Sequence, residues 1–300
     1  MTISRDPFEI VMKWWNGKPV QSDTMRDGVD PSTKEGAFEC LILCHLYSVN
    51  DDKPGVVKAT IDALRSAGFT DMQTLANLDE NSAHWKSVTD IWRKHYFGGR
   101  YPDKIRWMKE CAERILGDPK LGGDLRNLYS AHQGDGKEMI IWLCNLPGIK
   151  KKTLLMMREM RMRGVWQVDG KYCCVVDEQV GSCLERWHKI QRWPKYNNLR
   201  IILEASQLIW NYFGELYDLP ILHYSRKFKC NDKRLAHCVQ GLPCEIDLCT
   251  RKEEGDSRKN SSSCGKSTRY CTQCGKVIPI SAKYCPECGK YQLGPDKKGE

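Results

Sequence analysis

The chain has 300 residues, 41% of them hydrophobic and 28% charged, with a formal net charge of +9. That is enough apolar material for one or two domains with a real core plus a small module, and the clustered basic residues favour a polyanionic partner, above all nucleic acid. No apolar run reaches the length of a membrane span. "MTISRDPFEI" carries charge where a secretory signal would have its hydrophobic region, so the sixteen cysteines read as metal sites in a reducing compartment rather than as disulfides.

In chain order, residues 1–30 read as polar and turn-rich, with "MKWWNG" as their one aromatic cluster. A helix is expected from "PSTKEGAFECLILCHL", where Ser32 and Glu35 have capping-box spacing. Further helices run to about residue 144, broken at "FGGRYP" and "GDPKLGGD". In "PDKIRWMKECAERIL", Ile105, Met108, Ala112, Ile115 and Leu116 line one face. Then "GKEMIIWLCN", the breaker "LPGI" and "KKKTLLMMREM" read as a helix–hairpin–helix ending near Arg163. Lysines at a helix start oppose its dipole, so Lys150, Lys151 and Lys152 ask for an external anion. A phosphate fits, because free amides at such a start bind it.

Beyond the hairpin, "VWQVDGKYCCVVD" has two β-prone runs around Asp169-Gly170, which predicts a β-hairpin. In "VVDEQVGSCLERW", Asp177 is the expected N-cap of a helix whose Val180, Cys183, Leu184 and Trp187 share a face. "NLRIILEASQLIWNYFG" is a further helix. Residues 251–263 read as a flexible linker.

Two cysteine groups follow. Cys271, Cys274, Cys285 and Cys288 form two Cys-x-x-Cys pairs with ten residues between them, and four thiolates at that spacing suit tetrahedral zinc in a ribbon. Cys230, Cys238, Cys244 and Cys249 are separated by seven, five and four residues. One loop carrying four cysteines suits a 4Fe-4S cluster. Zinc, with His237 as a spare ligand, is the competing occupant.

Residues 30–250 resemble the helix–hairpin–helix DNA glycosylases, most of all the iron–sulfur endonuclease III branch. "LPGIKKKT" is similar to the family's hairpin, and the family's catalytic lysine falls on Lys152. Asp177, Val180, Cys183, Leu184 and Arg186 follow the order of its later acid-and-helix motif. Asp169 is the rival acid, nearer the family's usual distance from the lysine. "FECLILCHLYSVNDDKPGVVKA" resembles the first barrel helix and the loop that inserts into DNA, with Asn50 at the intercalating position. "ILHYSRKFKC" and "CEIDLC" resemble the segments flanking the cluster. Four departures stand out: Lys150 replaces the hairpin's second glycine, the lysine-to-acid segment is longer, the cluster spacing differs, and Glu178 and Gln179 are unusual after the acid.

The resemblance implies a mainly α, two-lobed helix–hairpin–helix glycosylase fold with an iron–sulfur loop, to which the C-terminal zinc ribbon is added. Residues 1–45 would pack with the C-terminal lobe, 46–155 would form the barrel lobe, and 156–250 the second lobe with the cluster. Residues 251–268 would be the linker and 269–292 the ribbon. The resemblance implies a monomer acting on double-stranded DNA, away from membranes, in the cytoplasm at the nucleoid or in a nucleus. It would excise a damaged, mismatched or modified base, with strand cleavage through a lysine Schiff base. Lys152 and Asp177 would be catalytic. Leu146, Pro147, Gly148, Ile149, Lys150, Lys151 and Asn50 would meet DNA. The alternative is a non-catalytic or monofunctional DNA-binding protein of the same fold, using hairpin, cluster and zinc ribbon for recognition.

Overall fold

The computed structural model describes residues 6–47, 55–95, 101–190 and 198–228, and the backbone of two short strands at 268–270 and 277–279. The chain divides into two compact units, residues 1–252 and 253–300. Asn50 and both cysteine groups, Cys230–Cys249 and Cys271–Cys288, lie outside the described residues. In the second unit the described part is one antiparallel pair, β1 (Thr268–Tyr270) and β2 (Val277–Pro279), with Arg269 opposite Ile278.

The first unit is mainly helical. Its opening segment is not turn-rich, as its composition suggested, but contains α1 (Pro7–Trp15) and α2 (Asp23–Arg26). The signals for α1 are local. Asp6 caps it by accepting the Phe8 N–H at 2.7 Å, proline stands at its first position, and Phe8, Val11 and Trp15 bury one face. That face meets the end of the domain. Phe8 packs against Phe213 and Tyr212 with ring centroids 5.0 Å apart in each case, and Trp14 packs edge-on against Tyr224 at 5.3 Å.

Helix α3 (Lys34–Leu46) is buried on every side from Gly36 onward, as expected of a helix at the centre of a domain. Its cap is Thr33, whose hydroxyl accepts the Gly36 N–H at 3.0 Å, one residue later than the Ser32 spacing predicts. Around it stand α4 (Val56–Ser66), α5 (Met72–Ala76), α6 (Ala83–His95) and α7 (Tyr101–Gly117). Ile105, Met108, Ala112 and Ile115 of α7 are fully buried and Leu116 half-buried, so the face read from the sequence is the face that packs. After a short α8 (Leu128–Ala131), α9 (Gly136–Cys144) and α10 (Thr153–Met162) bracket the hairpin.

The predicted β-hairpin is absent. Asp169 instead caps a single 3₁₀ turn, Gly170–Tyr172, by accepting the Lys171 N–H at 3.0 Å. The β-prone residues on either side are core side chains of irregular backbone: Trp166, Val168, Cys173 and Cys174 are all buried. Side chains satisfy the amides that a strand partner would have taken. The Cys174 N–H donates to the Ser206 hydroxyl at 3.2 Å and the Val175 N–H to Asp218 at 2.8 Å. A Cβ on Gly170 would lie 2.2 Å from the Trp210 ring, so glycine there permits close packing against the next helix. Three more helices follow among the described residues of the unit: α11 (Glu178–Arg186), α12 (Leu199–Phe213) and α13 (Leu219–Phe228). Among the described residues no helix is long and apolar enough to cross a membrane.

Candidate active site

Lys152 closes a 3₁₀ turn, Lys150–Lys152, that separates the Leu146–Ile149 turn from α10. The lysines therefore precede the α-helix rather than forming its first turn. The Lys152 ammonium donates to the backbone oxygen of Tyr47, at the end of α3, at 3.3 Å. Tyr47 is itself held by its hydroxyl, which donates to the buried carboxylate of Asp27. Burial raises the Asp27 carboxyl above its ordinary range, against the pull of Arg26.

Asp177 is the N-cap of α11, accepting the Val180 N–H at 2.8 Å. The helix is fixed behind it by the buried row Val180, Cys183, Leu184 and Trp187. Lys152 and Asp177 line the same cavity, of about 400 Å³, a size usual for sites that engulf small ligands. No ion pair joins the two among the described residues. Asp169 lies outside that wall. It is exposed and paired with Lys171 at 3.0 Å.

Much of the rest of the wall comes from segments in which the sequence reading placed no cavity residue. Trp14, Trp15 and Lys18 line it from α1 and the turn after it, and Leu222, His223 and Arg226 line it from α13. The Lys18 ammonium lies 3.3 Å from the centre of the Trp14 ring, a cation–π contact. Burial, with Arg226 and Lys18 nearby, lowers the His223 pKa and favours its neutral form. Spaced apolar residues in α1 could have been found from the sequence. Its pairing with α13, some two hundred positions away, could not.

One side of the cavity is a largely buried charge network, of which Asp23, Arg158 and Asp218 line the wall. Arg158 donates through Nη1 to both oxygens of Asp218 at 3.1 Å, through Nη2 to Asp23 at 2.8 Å, and through Nε to Glu159 at 3.2 Å. Glu159 also accepts the Thr24 N–H at 2.9 Å. Burial disfavours the Arg158 charge, but the carboxylates of Asp218, Glu159 and Asp23 outweigh it and hold the guanidinium protonated. Burial raises Asp218 and Glu159 despite Arg158. Three acids thus converge on one guanidinium, with Arg26 also reaching Asp23 at 3.1 Å, in a hydrogen-bonded cluster. It ties α2, α10, α13 and the segment leading to Asp177 into one frame.

The hairpin turn has its own geometry. Gly148 is left-handed at φ +73°. Leu146 and Ile149 are buried, so only their backbone could meet a ligand, whereas Lys150 is exposed. The side chain of Lys151 lies outside the described residues. No family model matches the chain, and no curated protein matches it.

Proposed function

We propose that the chain is a DNA glycosylase of the helix–hairpin–helix type that flips a nucleotide into the cavity and releases its base. The observation that carries this reading is the shared cavity wall of Lys152 and Asp177, two groups 25 positions apart in sequence. Flipping exposes the glycosidic bond to side chains that could not reach it in a duplex. As that bond breaks, its electron pair leaves with the base and positive charge grows on the sugar. A fixed carboxylate beside the sugar stabilises that charge, which is the role assigned to Asp177. Lys152, as the free amine, bonds to C1′ and loses a proton; the C1′–O4′ ring bond then breaks, O4′ takes a proton as a hydroxyl, and the open-chain Schiff base permits strand cleavage by elimination of the 3′ phosphate. Lys150 and Lys151, beside the nucleophile, hold the phosphate backbone. The aromatic and cationic wall of Trp14, Trp15, Lys18 and His223 would enclose the extruded base. The two-lobed glycosylase architecture, the 4Fe-4S cluster at Cys230–Cys249 and the zinc ribbon at Cys271–Cys288 belong to the same proposal.

The reading is tested by incubating the protein with duplexes that carry damaged, mismatched or modified bases and identifying released bases by mass spectrometry. Release that requires Asp177 is the expected result. A panel with no released base, from protein that still binds duplex, would leave a DNA-binding scaffold instead.

A further inference from the structure

Two carbonyls of the hairpin turn are engaged by α7. The Asn145 oxygen accepts from the Arg114 guanidinium, and the Pro147 oxygen accepts from the Cys111 thiol at 3.6 Å. Peptide groups are planar, and in the trans form the carbonyl and the following N–H point in opposite directions; the described residues contain no cis peptide. Fixing the Pro147 oxygen against α7 therefore turns the Gly148 N–H away from α7. Among the described residues no acceptor takes that N–H, whereas the Leu146 amide donates to the Leu143 oxygen of α9 at 3.0 Å and the Ile149 amide to the Leu146 oxygen at 3.4 Å.

Cys111 is held in turn. Its sulfur lies 3.8 Å from Nε2 of His45 on α3, and both residues are fully buried. A thiol has one proton to donate. If Cys111 gives it to Pro147, the proton of the Cys–His contact comes from Nε2, which sets the His45 tautomer. The assignment agrees with the titration of both groups. Burial raises the Cys111 thiol, keeping it protonated, and lowers His45 to about 3, keeping it neutral. The wall is tight as well: a Cβ on residue 148 would lie 2.5 Å from Trp107 Cε3 and 2.8 Å from His45 Cε1.

We infer that Cys111, backed by His45, is a positioning residue for anion capture: it locks the Pro147–Gly148 peptide so that the Gly148 N–H faces a DNA phosphate. This rests on the proposed DNA-binding function and adds to it a residue buried in the core, remote in sequence from the turn.

The experiment follows the Gly148 amide signal by NMR in full-length ¹⁵N-labelled protein, while a short duplex DNA is added well below the thermal midpoint. Wild type should show a Gly148 shift that saturates with binding. Cys111→Ala should bind about three- to tenfold more weakly, the value of one hydrogen bond, with the Gly148 shift reduced. Cys111→Ser, which restores a donor, should recover both. A role in packing alone would lower the melting temperature of Cys111→Ala but leave the Gly148 shift and the affinity unchanged, and would overturn the inference. Wild-type protein that binds no duplex would remove this inference together with the function it rests on. Wild-type binding with an indifferent Cys111→Ala removes the inference alone.

Discussion

Arg158 and Asp218 are joined by two hydrogen bonds of 3.1 Å from one guanidinium nitrogen, and the same Asp218 carboxylate accepts the Val175 N–H at 2.8 Å. Val175 stands two residues before Asp177, so the buried pair anchors the backbone that delivers the acid to the cavity. Arg158 lies six residues after Lys152 on the helix that the lysine precedes. One ion pair thus references both proposed catalytic groups to a common frame.

Removing Arg158 should therefore be costly. Arg158→Met would leave Asp218 and Glu159 buried without their cation, while Asp23 keeps Arg26 at 3.1 Å, a change worth about 3–5 kcal/mol. Denaturant melts of the two proteins measure it. A loss under about 1 kcal/mol would mean that the acids are neutral or solvated and that the network does not hold the site together.

Asp177→Asn separates capping from chemistry. Asparagine caps a helix about as well as aspartate, so the melting temperature should barely move and duplex binding should stay near the wild-type value. Base release should be abolished, because the neutral amide cannot balance a growing positive charge. Full turnover by this variant would rule the acid out.

His45 gives a pH signature with a definite sign. Burial and nearby Lys104 lower its pKa from 6.5 to about 3. Between those values the unfolded chain holds a proton that the folded one does not. Stability therefore rises with pH across the window and falls as pH drops, by about 1.4 kcal/mol per unit. The raised carboxyls of Asp27, Glu159 and Asp218 act in the opposite sense, so the informative quantity is a difference. The stability of wild type should fall more steeply than that of His45→Gln between pH 6.5 and 4. Parallel curves would mean that His45 carries a proton in the folded protein.

Metal content tests the two cysteine groups, which lie outside the described residues. Protein purified under anaerobic conditions should be yellow-brown and contain about four irons and one zinc per chain. Colourless protein with two zincs would make Cys230–Cys249 a second zinc site.

Local chemistry made much of the fold legible. The α7 face and the Asp177 cap depend on spacings within a dozen residues, and the folded chain uses them as read; two helices do flank Leu146–Ile149, but the second begins at Thr153, after a 3₁₀ turn of the lysines. Asp169-Gly170 misled because β-branched and aromatic residues serve a buried irregular segment as well as a strand. What decided the outcome was whether Ser206 and Asp218, far along the chain, would take the amides. Trp14, Trp15 and His223 were missed as cavity residues for the same reason: α1 and α13 meet only after folding. The partners of Arg158 are likewise separated by 60 and 135 positions, and no local pattern announces them.

The central claim is that Lys152 and Asp177 face one deoxyribose. It is tested most directly by trapping the protein on an abasic duplex with borohydride, digesting the adduct and locating the cross-linked residue by mass spectrometry. The expected adduct is on Lys152, absent in Lys152→Gln. An adduct on another lysine, or none from protein that binds the duplex, would contradict it.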